Sequence, residues 1–116
     1  MSEIIRMKKD GGLGDAAQRL KNELDAEFVN CSEHRSGEMD CILLSFERLF
    51  PWRGSGYTAL TVLLTRIGEQ STADIIGLGG GEGFLNISNG ANRKLATMAA
   101  EVLEKEGFVT EKQYSS

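Results

Sequence analysis

A chain of 116 residues with 41% hydrophobic content is sized for one compact domain and not two. Its 17 acidic and 13 basic residues leave a net charge of -4, which argues against a protein that coats DNA or RNA with a basic face. Two cysteines, no apolar run near the roughly 20 residues that span a bilayer and no signal-peptide core point to a reduced, cytoplasmic protein. Residues 1–116 are read as a single domain, with 1–12 and 109–116 as flexible ends.

The first nine residues set Arg6, Lys8 and Lys9 against Glu3. Three basic residues are too few for a nucleic-acid or membrane arm, and the segment reads as a frayed or strand-like terminus. Gly11, Gly12 and Gly14 break the chain, and Asp15 is placed to cap a short helix running to about Leu24. Ala16, Leu20 and Leu24 give that helix one narrow apolar stripe. From Ala26 to Leu78 the period moves towards two, predicting strands at about 26–33, 39–50, 57–67 and 72–78. A three-residue loop at Arg35-Ser36-Gly37 would set Cys31 opposite Cys41, Val29 opposite Leu43 and Phe28 opposite Leu44. The shorter Ser36-Gly37 turn is disfavoured because it opposes Glu33 to Asp40.

Pro51-Trp52-Arg53-Gly54-Ser55-Gly56 interrupts the strands. Gly68-Glu69 fits a tight turn that pairs Leu64 with Ala73, Val62 with Ile75 and Leu60 with Gly77. Beyond the glycine run from Gly77 to Gly83, Phe84-Leu85-Asn86-Ile87 would add a short fifth strand. Ser88 or Asn89 then caps a helix reaching about Glu106, marked by Ala91, Leu95, Met98, Val102 and Leu103. Gly107 suits its end, and Phe108 folds back onto the core.

The implied fold class is α+β: a two-layer domain with an antiparallel four- or five-stranded meander, flanked by an N-terminal and a longer C-terminal helix. The helix-facing set is Ile42, Leu44, Leu60, Val62 and Ile75. The other side of the sheet also carries apolar residues, among them Met39, Cys41, Leu43, Leu49, Leu63, Ile67 and Ile76. Either the helices split across the two faces, or the second face meets another subunit. A homodimer is the expected partner state.

The stretch from Gly37 to Gly83 resembles a family of short bacterial proteins catalogued as a domain of unknown function. The residues that carry the likeness are Gly37-Glu38-Met39-Asp40-Cys41, Phe46-Glu47-Arg48, Leu60-Thr61-Val62-Leu63-Leu64 and the glycine run. The resemblance implies a fold and transfers no catalytic residue.

Several groups invite chemistry. The glycine run suggests an anion nest, but it matches neither phosphate-binding pattern, Glu82 would repel an anion, and a turn or close backbone packing explains it. Cys31, His34 and Cys41 have metal-like spacing but need a fourth ligand from Glu33, Glu38 or Asp40. Cys31 and His34 lie three apart on one strand and point to opposite faces, which argues against them as a catalytic dyad and leaves Cys41 as the less excluded partner for His34. No metal, cofactor or catalytic residue is therefore assigned. Glu47 and Arg48 form either a polar ligand site or a solvated rim, and Trp52 with Arg53 either an adhesive loop or a cover for the sheet edge. The leading expectation is a non-enzymatic interaction or small-ligand module, with no nucleic-acid or membrane partner. Its candidate residues are Leu43, Leu63, Trp52, Arg53, Glu47 and Arg48. The alternative is a small enzyme using Glu47 and Asp74 with Arg48 or Arg66.

Overall fold

The computed structural model describes residues 2–49, 57–79 and 87–115. The elements are β1 (Ser2–Asp10), α1 (Ala16–Glu23), β2 (Glu27–Ser36), β3 (Met39–Leu49), β4 (Tyr57–Ile67), β5 (Gln70–Gly79), α2 (Ile87–Glu104) and β6 (Val109–Ser115). All six strands join one sheet in the order β2-β3-β4-β5-β1-β6, with every neighbouring pair antiparallel.

This corrects the expected four- or five-stranded meander. The meander β2–β5 is present, but β1 pairs with its β5 edge and β6 pairs with β1. The physical reason lies in what each strand buries. In β1, Glu3, Ile5 and Met7 alternate inward, so even this charged segment has a buried face. In β6 every side chain is exposed, and its attachment to β1 leaves no apolar period in the sequence. Of the proposed fifth strand, residues 84–86 lie outside the described residues, and Ile87 opens α2. The helix therefore starts before the expected caps Ser88 and Asn89.

The first hairpin also differs by register. Its turn is Gly37-Glu38, with Ser36 opposite Met39, so Cys31 faces Leu44, His34 faces Cys41 and Phe28 faces Phe46. Glu33 then opposes Ile42, and Arg35 opposes Asp40 with Nη1 to Oδ2 at 3.4 Å. Moving the turn by one residue thus removes the like-charge pair that had disfavoured a two-residue loop. A register irregularity between Phe28 and Asn30 returns Phe28 to the helix side of the sheet edge opposite Phe46, where it stays exposed. The second hairpin has the expected register, with Leu64 opposite Ala73, Val62 opposite Ile75 and Leu60 opposite Gly77. Arg66 ties the two turns together. It bonds Asp40 Oδ2 at 2.8 Å and the carbonyls of Gly68 at 2.8 Å and Gly37 at 3.3 Å, while Gly68 N donates to Glu38 O at 2.9 Å.

Both helices pack on one side of the sheet. Leu20 of α1 and Leu95 and Leu103 of α2 are fully buried with Leu44, Leu60, Val62, Leu64 and Ile75. The helices are joined to each other by charge. Arg19 bonds both Glu106 and Glu23, Lys105 Nζ reaches Glu23 at 2.7 Å, and Lys9 Nζ donates to Glu106 O at 2.7 Å. Asp15 makes no side-chain cap; its backbone N–H donates to Glu106 Oε1 at 3.1 Å instead.

The Arg19 guanidinium holds the Glu106 carboxyl below its ordinary range, and Lys105 and Arg19 do the same for Glu23. Depressed carboxyl pKa values mean that the unfolded chain binds more protons in acid. The network's contribution is therefore present above the unfolded carboxyl pKa of about 4.3 and lost as pH falls through the lower folded values. Thermal melts should show a falling Tm below about pH 4, with a shallower fall in the Glu106→Gln variant. Equal acid slopes for the two proteins would show that this network carries none of the effect.

Candidate interaction face

Strand alternation places Leu43, Leu63, Asp74, Ile76, Ile4 and Arg6 on the side of the sheet opposite the helices. Leu43 and Leu63 are direct register partners, and so are Ile4 with Ile76 and Arg6 with Asp74. These six residues and Thr61 line a shallow depression of about 390 Å³ near the middle of the sheet. Its only charges answer each other, with Arg6 Nε 3.4 Å from Asp74 Oδ1. Leu43 in the depression is 37% exposed, and Leu78 at 48% and Ile67 at 60% extend the apolar face outward. A sheet face in water usually alternates to polar residues, and this one does so around its margin, through Asn30, Ser32, His34, Ser45, Glu47, Lys8, Lys112, Thr61, Thr65 and Thr72, leaving Ile4, Leu43, Leu63 and Ile76 as an apolar centre.

The sequence-predicted residues separate into groups. Leu43 and Leu63 meet at this face. Glu47 and Arg48 sit at the far end of β3, beside a second depression of about 470 Å³ shared with Leu24, Asp25, Ala26, Glu27 and Leu49. There Arg48 pairs with Asp25 at 3.2 Å and approaches Met98 Sδ at 3.6 Å, while Glu47 lies opposite Ala59 and Glu27. Trp52 and Arg53 lie outside the described residues. The groups suggested for an enzyme face different neighbours: Asp74 answers Arg6, Arg66 answers Asp40, and Arg48 answers Asp25.

Cys31 packs at the edge of the helix-side core, while Cys41 lies on the open face opposite His34, and both thiols are free. No group of three metal-ligating side chains occurs among the described residues. Sequence reasoning missed Ile4 and Arg6, because a frayed or strand-like terminus gives no partner for residues 1–12, whereas β1 lies between β5 and β6. The usable signal was the inward alternation Glu3, Ile5, Met7 beside the β-branched pair Ile4-Ile5.

No helix among the described residues is long and apolar enough to cross a membrane. No curated protein and no solved structure matches the chain. Residues 13–107 match the model of DUF6054, a family of unknown function, and the chain belongs to that family. The matched span takes in α1, the meander β2–β5 and α2, and leaves β1 and β6 outside it.

Proposed function

We propose that the protein is a non-enzymatic interaction module of the bacterial cytoplasm, whose open sheet face packs against the same face of a second copy. One observation carries the reading: both helices cover one side of the sheet, while Ile4, Leu43, Leu63 and Ile76 form an apolar centre on the other. Exposed apolar patches beyond a few hundred Å² mark interaction sites on soluble proteins. Six strands at ~4.8 Å spacing and nine residues at ~3.3 Å describe a whole sheet face of about 650 Å² before side-chain relief, of which the apolar centre is the smaller part and polar residues are the margin. That approaches the ~800 Å² per partner of a stable interface. A second copy suits the charge pattern, because the Arg6–Asp74 pair leaves the centre without net charge. Two free cysteines fit a reducing compartment.

Light scattering tests the proposal. The wild-type chain is expected to be a dimer at micromolar concentration. Leu43→Glu and Leu63→Glu should each weaken association by about 100-fold or more, because an unpaired charge buried at the interface costs ~3 kcal/mol or more. Both variants should keep their helix and sheet signals in circular dichroism, since the face is open in the single chain. A wild-type monomer at high micromolar concentration overturns the dimer.

A further inference from the structure

The sheet ends in a strand that shares nothing with the core. All seven residues of β6 are exposed, whereas Ile5 and Met7 of the neighbouring β1 are buried under the helices. β6 thus contributes no buried side chain to the hydrophobic interior, and what it covers is the backbone edge of β1.

What fastens β6 is polar. The Glu3 side chain is 2% exposed, and its carboxylate accepts from Gln113 Nε2 at 3.0 Å and from the Ser115 hydroxyl, with Arg93 Nε of α2 at 3.6 Å. Burial pushes the Glu3 carboxyl up, but those partners outweigh it and hold the group below its ordinary range. On the other face Lys8 Nζ meets Glu111 at 3.3 Å, and Arg6 lies over the Tyr114 ring at 5.7 Å. The chain enters β6 through Gly107, at φ +95°, and Phe108, which is buried. Phe108 fixes the start of the strand, and everything beyond it is held by one ladder and these side chains.

We propose that the β1 edge is a strand-acceptor site that takes β6 from a second copy of this chain, the two copies exchanging strands. The occupant follows from the chemistry of the edge. A buried carboxylate needs an amide and a hydroxyl two residues apart on the incoming strand, as Gln113 and Ser115 are, with an acid for Lys8 and an aromatic ring for Arg6. The β6 of another copy supplies the same set, so the exchanged and unexchanged strands make equal contacts. An exposed strand with no buried apolar side chain opens at far less cost than the domain unfolds. Strand addition to a sheet edge is an established mode of recognition.

The test separates this exchange from packing through the open face. Full-length chains carry Cys31→Ser, Cys41→Ser and Leu43→Glu, the last removing open-face association. One chain adds Arg6→Cys and the other Lys112→Cys, at positions that are register partners. Opposed Cα atoms on adjacent strands fall within disulfide range. A chain with both cysteines is expected to close on itself at low concentration. The mixture of single-cysteine chains is expected to give a mixed disulfide dimer that accumulates with concentration and incubation time. A Lys112→Cys chain mixed with a Thr65→Cys chain should give none. Adding Glu3→Gln should speed the exchange about tenfold, since a charge-assisted bond is exchanged for a weaker neutral one. Closure within one chain with no dimer from the mixture overturns the proposal. So does native-state hydrogen exchange in which the β6 amides are as slow as those of β4.

Discussion

Gly77→Val should lower the stability of the fold by about 2–4 kcal/mol, a Tm loss on the order of 10 °C. Gly77 lies on the helix-facing side of β5, where α2 packs directly against the strand. A Cβ added there would sit 2.9 Å from the Asn92 backbone oxygen and 3.6 Å from Ala96 Cβ. The obstructing atom is main chain, so no side-chain rotation relieves the contact, and α2 must lift from the sheet. The branched valine adds two further methyl groups to the same gap. Gly77→Ala should fall between the wild type and Gly77→Val in urea unfolding. A Gly77→Val protein with the wild-type midpoint would mean that α2 does not rest on β5 in this way.

Phe108→Ala should cost about 3–5 kcal/mol, a large share of the roughly 5–15 kcal/mol available to a domain. Phe108 is 1% exposed and follows Gly107 at the end of α2. Its N–H donates to Leu103 O at 3.2 Å while Gly107 N–H donates to Glu104 O at 3.1 Å, the paired bonds of a Schellman ending. The ring fills the core against the last helical turn, and Lys9 Nζ stands 5.4 Å from its centroid. Truncation leaves a cavity and loosens the entry to β6 together. Phe28→Ala is the control: Phe28 is 43% exposed, and its loss should cost less than about 1 kcal/mol. Equal losses for the two variants would contradict this placement of Phe108.

Legibility in the sequence followed the amount of apolar surface each element buries. The β4–β5 register was readable because Leu60, Val62 and Leu64 alternate on one side of the Gly68-Glu69 turn and Ala73 and Ile75 on the other. The ending of α2 was readable because Gly107 and Phe108 have conformational and packing roles that few residues fill. The Leu43–Leu63 face followed from the same alternation read on its odd positions. The first hairpin departs from the expected register by three residues, with Cys31 opposite Leu44 and not Cys41, since its outcome hangs on Arg35 meeting Asp40 and on an irregularity near Val29 that no local pattern marks. β6 was unreadable because its sequence, from Val109 to Ser115, buries no side chain; its place is set by the β1 edge and by Glu3, over a hundred residues away. The same distance hid Arg6 and Ile4 from the candidate face.

The position of β1 has a consequence for synthesis. Its partners are Gln70 to Leu78 on one side and Val109 to Ser115 on the other, so the first strand made is among the last to be paired. At about 5–20 residues per second, β1 waits several seconds on the ribosome for β5. Throughout that wait Ile4, Ile5 and Met7 form a short β-favouring segment with no neighbour. Arg6, Lys8 and Lys9 give that segment the flanking charge that limits association of exposed strand-forming stretches.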